Sequence, residues 1–261
     1  MRIKSMYALP LIAAAALLIV TNVPVRASQS DNNIEKAARK SYVFKTYLKG
    51  DGIRIQSEDG VVTLAGTVPV ESHRTMAEET VLSLAGVKSV NNQLTVVGSP
   101  ANARSDAWLR ERVQGNLKFH RSVSPANTEV SVTDGRVTLR GTAATEAQRQ
   151  RMSEYAQDVS GVKDVDNRMT VRKPFTSSRR TSSEKVDDAS ITSQVRMSLL
   201  YHHGTDVHDT KVSTHKGVVT LGGTARNQAE IDRATKQVAD IHGVKSVNNQ
   251  MTSEAAQSST N

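Results

Sequence analysis

DGVVTLAGTV, at Asp59–Val68, is written twice more in this chain, as DGRVTLRGTA at Asp134–Ala143 and KGVVTLGGTA at Lys216–Ala225. Each copy opens on a dipeptide that ends in Gly and stands between two extended runs. Such a dipeptide supplies the positive φ that a tight hairpin turn needs. Behind the turn, Val62 with Leu64, Val137 with Leu139 and Val219 with Leu221 alternate onto one face. Half of each strand is therefore meant for a core.

Downstream of each hairpin a second motif recurs: GVKSVNNQ at Gly86–Gln93 and again, unchanged, at Gly243–Gln250, with GVKDVDNR at Gly161–Arg168 between them. Segments 60–96, 135–171 and 217–253 align without a gap, offset by 75 and then 82 residues. Between the two motifs the apolar residues take helical spacing: Ala77, Val81, Leu84; Met152, Ala156, Val159; Ala234, Val238, Ile241. Gly86, Gly161 and Gly243 follow, where a left-handed C-terminal cap is expected. A short β-like run then closes each copy.

A further helix precedes each hairpin. Leu109, Val113, Leu117 and Ile191, Val195, Leu199 share the i, i+4, i+8 spacing, and Asp106 and Asp187 stand where capping side chains are favoured. In the first copy the register slips, and the spacing places one helix from about Asn33 to Leu48 with Val43 and Tyr47 facing inward. The order helix, strand, strand, helix, strand predicts an α+β fold: three tandem αββαβ units, each with two helices on one face of a three-stranded mixed sheet. The expected boundaries are 31–98, 104–172 and 185–253, with a linker at 173–184 and a disordered tail at 254–261. Units this small bury little alone, which predicts mutual support.

Residues 1–27 read as a secretory signal peptide: Arg2 and Lys4, an apolar run from about Ala8 to Val20, then Val25 and Ala27 before a cleavage. An uncleaved anchor is the alternative. Cysteine is absent, which removes disulfides, lipid-modified cysteine and thiol catalysis and suits an oxidising compartment. Cleavage near Ala27 would take the net charge from +8 to +5. That excess sits in residues 99–172 (+3) and 173–184 (+2), whereas 28–98 and 185–261 are balanced. A basic patch there suits an anionic membrane face or an acidic partner, and export sets nucleic acid aside.

With these motifs in place the chain resembles the BON domain, whose pattern is a DGVVTLSGTV-type hairpin followed by a helix and GVKxVxNxLxV. The likeness covers residues 31–253 as three copies, and it extends to the osmotically inducible periplasmic protein Y family, which carries two. The resemblance implies an αββαβ fold, no catalytic activity, no cofactor, a periplasmic location, binding to phospholipid membranes and a link to osmotic or envelope stress. A chaperone-like role toward unfolded exported proteins is the alternative it carries, and an adaptor for envelope proteins is a further alternative that the linkers permit.

The side chains agree that chemistry is not repeated here. Positions identical in all three copies are mainly Gly, Val, Thr and Asn, plus Lys88, Lys163 and Lys245. They include no nucleophile with a base and no carboxylate pair. The lysines follow a helix C-terminus, where a cation meets the negative end of the helix dipole. Asn92, Asn167 and Asn249 share strand parity with apolar neighbours, so each is expected to point inward and bond the nearby loop backbone; the alternative is a ligand. YHHGTDVHD, from Tyr201, reads as a solvated loop without zinc-ligand spacing.

The sharpest candidate is DAWLRERVQGNLKFHR, Asp106–Arg121. Trp108, Arg112 and Phe119 fall within about 40° of one another on a helical wheel, beside the core line. Trp, Phe and Arg together are the set favoured at a bilayer interface. With Arg110, Lys118, Arg121, Lys173, Arg179 and Arg180 they form a candidate membrane-binding set, each cation contributing about 1 kcal/mol near an anionic surface. The alternative is that Trp108 and Phe119 pack at the core edge or against a neighbouring unit.

Overall fold

The computed structural model describes residues 29–97, 105–123, 128–172, 185–202 and 210–253. The expected signal peptide, the linker at 173–184 and the tail at 254–261 lie outside them. In the first unit α1 (Gln29–Lys40) and α2 (Tyr42–Thr46) precede the hairpin β1 (Arg54–Glu58) and β2 (Val61–Val68), followed by α3 (Glu71–Leu82) and β3 (Ser89–Val96). The second runs α4 (Asp106–Phe119), β4 (Thr128–Thr133), β5 (Arg136–Ala143), α5 (Glu146–Gln157), β6 (Asp164–Asn167) and β7 (Thr170–Val171). The third runs α6 (Asp188–Tyr201), β8 (Lys211–His215), β9 (Val218–Gly222), β10 (Thr224–Ala225), α7 (Gln228–Ala239), β11 (Ser246–Asn249) and β12 (Thr252–Ser253).

The chain is an α+β protein of three repeated units. In each, the second hairpin strand is central, antiparallel to its hairpin partner and parallel to the closing strand. The turns are as the dipeptides require: φ is +51° and +81° at Asp59 and Gly60, +52° and +80° at Asp134 and Gly135, and +50° and +82° at Lys216 and Gly217. All six alternating valines and leucines of the central strands are fully buried. So are the Leu109, Val113, Leu117 and Ile191, Val195, Leu199 lines.

Three devices recur that join local turn to tertiary fold. An aspartate in the first helical turn accepts both hairpin-turn amides: Asp106 from Asp134 and Gly135 at 2.8 and 2.9 Å, Asp188 from Lys216 and Gly217 at 2.7 and 2.8 Å, and Asp31 from Asp59 and Gly60 at 3.2 and 3.0 Å. The helix cap beside it is a separate residue, Ser105 or Asp187. Asp106, expected as a cap, therefore serves the hairpin. Next, the closing-strand asparagines bond the second helix rather than a loop. Asn92, Asn167 and Asn249 donate to the carbonyls of Arg74, Arg149 and Ile231, at 3.2, 2.8 and 3.2 Å. Their oxygens accept the strand amides of Leu94, Met169 and Met251. Finally, Gly86, Gly161 and Gly243 do hold positive φ, but the helices end earlier, at Leu82, Gln157 and Ala239. Each glycine lies against the first helix, where an added Cβ would meet Ile34, Leu109 or Ile191.

The helix expected over 33–48 is two. Ser41 breaks it, accepting from the Phe44 amide and donating to the Ala38 carbonyl. The amides of Tyr42 and Val43 that lose their helical partners are taken by the third unit, Tyr42 by Asp187 at 2.8 Å and Val43 by Ser190 at 3.1 Å. The break exists because another unit fills it.

That other unit supplies the centre of the molecule. Eleven residues of α6 are buried, too many for a helix that covers only its own sheet. Ile191, Val195 and Leu199 face the third core, while Met197 and Tyr201 join the first core together with Phe119. Its small polar residues let neighbours approach and are hydrogen-bonded: Ser193 to the Met76 carbonyl at 3.3 Å, and Ser198 to Asn116 at 3.1 Å.

Candidate functional site

Helix α4 starts where Ser105 accepts the Trp108 amide at 3.3 Å, and its Leu109 line is fixed on the second core. That anchoring sets the direction of the neighbouring face. Trp108 is half-buried against the second core. The Arg112 guanidinium lies 3.9 Å from the Trp108 ring centroid and 4.9 Å from that of Tyr201, so two aromatic rings hold the cation. Burial pulls its pKa down, against the opposite pull of Tyr201 and Glu111. Its charge meets no carboxylate at ion-pair distance among the described residues. Arg110 and Lys118 are exposed on the same helix.

Two members of the expected set are placed elsewhere. Phe119 is only 1% exposed and packs between Tyr47, edge-on at 5.7 Å, and Tyr201, stacked at 6.3 Å. It cannot enter a bilayer interface without opening the junction of three units. Arg121 closes the end of α7: it donates to the carbonyls of Val244 at 3.0 Å and Ala239 at 2.7 Å and stands 3.6 Å from Asp240. A cation at a helix C-terminus is a structural use of charge. Lys173, Arg179 and Arg180 lie outside the described residues. The geometry thus brings together Trp108 and Arg112, and adds Tyr201, which sequence reasoning assigned to a loop, while Arg110 and Lys118 are exposed on other sides of the same helix.

Below this face, units two and three meet through a joint in which nearly every contact occurs twice. His120 bridges Ile241 and Val159 bridges His202, both antiparallel. The His242 amide donates to the Phe119 carbonyl at 3.0 Å and the Ser160 amide to that of Tyr201 at 2.7 Å. Tyr155 donates to Asp240 at 2.6 Å, and Gln237 to Asp158 at 2.8 Å. Adding the repeat offset of 82 turns each member into its counterpart, so the joint has local two-fold symmetry inside one chain. The Ser122 hydroxyl also bonds Asp240.

His120 is fully buried in this joint, stacked on Tyr155 at 3.7 Å, with Nδ1 3.8 Å from Asp240 and neither ring nitrogen hydrogen-bonded. Burial pulls its pKa down to about 4, outweighing the attraction of Asp240. Burial raises Tyr155, as does its bond to Asp240. His202, expected in a solvated loop, is 7% exposed and Nε2 stands 4.0 Å from Asp158. A signal for all of this was present: Asp158 and Asp240 occupy equivalent positions, while the first unit has Ser83. Among the described residues, no group of three His, Cys, Asp or Glu could hold a metal ion, and no helix is long and apolar enough to cross a membrane.

The BON domain family description matches residues 30–98, 105–173 and 187–255. Osmotically-inducible protein Y of Escherichia coli (strain K12) is 30% identical over 164 residues, covering 63% of this chain and 79% of that protein. An uncharacterized protein of Anaplasma centrale is 31% identical over 142 residues, covering 54% of this chain and 90% of its own. Outer membrane lipoprotein DolP of Haemophilus influenzae is 28% identical over 158 residues, covering 58% of this chain and 80% of its own.

Proposed function

The chain belongs to the BON domain family, and on that footing we propose a non-enzymatic periplasmic protein of osmotic or envelope stress that binds anionic phospholipid surfaces peripherally through α4. The observation that carries the reading is Arg112, held over Trp108 with no carboxylate at ion-pair distance among the described residues, on a helix that also exposes Arg110 and Lys118. A cation held over an indole offers phosphate an attractive surface with little ordering cost, and the two exposed cations of the same helix add to its positive field. The names of two relatives, one osmotically inducible and one an outer membrane lipoprotein, support the setting. Several other cations of the second unit are already paired, Arg136 with Asp164, Arg149 with Glu146 and Arg168 with Asp166.

The rival reading, capture of unfolded exported chains, finds its simplest docking mode blunted. Adding a strand requires free edge amides and carbonyls. On the β1 edge Arg39 donates to the Ile55 carbonyl and Glu35 accepts the Ser57 amide, and on the β3 edge Asn92 accepts the Leu94 amide. The test is co-sedimentation with vesicles of phosphatidylglycerol and phosphatidylethanolamine at low and high salt. Wild type should pellet at low salt and release at high salt. Arg110→Glu with Arg112→Glu should weaken binding on the order of thirtyfold. Equal pelleting of the two proteins would remove α4 from the reading, and no pelleting would remove lipid.

A further inference from the structure

Where the three units converge, the first does not close against the other two. A cleft of about 590 Å³ remains between α2, the start of α3 and the outer side of α4, floored by Phe119 and Tyr201. Its volume falls in the range of small-molecule sites, roughly 300–1,000 Å³. Tyr42, Tyr47 and Met76 give it an apolar body.

The polar groups around it are unequal in their freedom. Glu111 already accepts the Ser72 amide at 3.2 Å, and His73 is bound to Asp51 at 2.7 Å. Two of the lining donors are the ones suited to an anion. The Lys118 ammonium lines the cleft on an exposed residue and meets no carboxylate at ion-pair distance among the described residues. The Tyr201 hydroxyl, buried in a residue 2% exposed, makes no hydrogen bond at standard distance and angle, with only the Ser72 side chain close by. A buried hydroxyl without a partner costs about 1–3 kcal/mol, which a ligand oxygen would recover. An occupant should therefore bring acceptors rather than donors. The rings also argue against an aromatic cage for a quaternary ammonium. Tyr42 meets Tyr47, Tyr47 meets Phe119 and Phe119 meets Tyr201 at 5.7–6.3 Å, so they pack on one another instead of around a hole.

We infer that this cleft takes a single-chain anionic amphiphile, its acyl chain along the tyrosines and its carboxylate or phosphate oxygens at Lys118 and Tyr201. The inference rests on the lipid reading above and adds to it a site for one dispersed molecule.

The test is calorimetric titration of the full chain with dodecanoate, kept below its micelle-forming concentration. Saturable binding at one site is expected, with n-dodecyltrimethylammonium bound at least tenfold more weakly. Thr46→Phe puts a ring into the cleft from an exposed position and should cost about tenfold or more. Tyr201→Phe keeps the ring and should cost about fivefold. Absence of saturable binding, equal binding of the cationic amphiphile, or wild-type affinity in Thr46→Phe would each overturn the site. Unfolding curves confirm that both variants fold. The two readings separate cleanly: Thr46→Phe should still pellet with vesicles, and Arg110→Glu, which changes a residue outside the cleft lining, should still bind dodecanoate.

Discussion

Units two and three meet as equals, and unit one meets them as a guest. The first joint is two-fold: carboxylates at equivalent positions, Asp158 and Asp240, each accept from the opposite unit, and each unit lends a buried histidine. The second is one-sided. Asp187, Ser190 and Ser193 of unit three bond backbone groups of unit one, and Arg196 reaches Glu79 at 2.6 Å. The difference turns on few residues, chiefly an aspartate at 158 and 240 where the first copy has Ser83, which bonds only its own helix at Glu79. One fold thus gives a symmetric, polar joint and an asymmetric one that shares a hydrophobic core, and the cleft lies beside the second.

The contrast breaks most sharply at Asp240. Asp240→Ala leaves the Tyr155 and Ser122 hydroxyls and Arg121 without their carboxylate, and should cost about 3 kcal/mol in urea unfolding. Ser83→Ala, at the matching position, should cost less than about 1 kcal/mol. Next comes pH. The docked His120 has its pKa lowered to about 4, so the unfolded state binds the extra proton. Its contribution is whole above the ordinary value near 6.5 and is lost as pH falls toward 4, about 2 kcal/mol between pH 7 and pH 5. His242, also lowered by burial, acts in the same sense. His120→Phe should flatten that slope in pH-dependent unfolding, and an unchanged slope would place the titration elsewhere.

The guest side should yield less. Asp187→Ala removes the cap of α6 and the partner of the Tyr42 amide, and about 1.5 kcal/mol is expected from thermal unfolding. Arg196→Met breaks its pair with Glu79, whose side chains are 34% and 27% exposed, and should cost only about 0.5 kcal/mol. A loss as large as that of Asp240→Ala would mean that the two junctions are alike after all.

Repetition made the units legible. Hairpin dipeptides, alternating Val and Leu and the i, i+4 stripes all act within one unit, where sequence distance is short and the period is set by backbone geometry. What escaped is between units. Ser190, Ser193, Gln194 and Ser198 look like the solvent side of α6, yet each is buried, because small polar residues serve equally a wet surface and a close helix contact. Phe119 and Trp108 share a helical face on a wheel, but a wheel cannot show that Tyr47 and Tyr201 cover only the first of them. Arg121 is exposed, as expected, but its engagement was hidden for the same reason: the carbonyls it satisfies lie more than a hundred residues away.

Helix α6 also has a place in time. Domains tend to fold in the order in which they are made, N-terminal first. The helix that fills the centre is the last first-helix of the three to be synthesised, so units one and two can complete their own sheets while Met76, Tyr47 and Phe119 still lack the cover that Met197 and Tyr201 provide. Until that segment arrives, the growing chain exposes aromatic surface at the future centre of the molecule. A release or a cut before Asp188 would leave the first two units without the side chains that cover that surface.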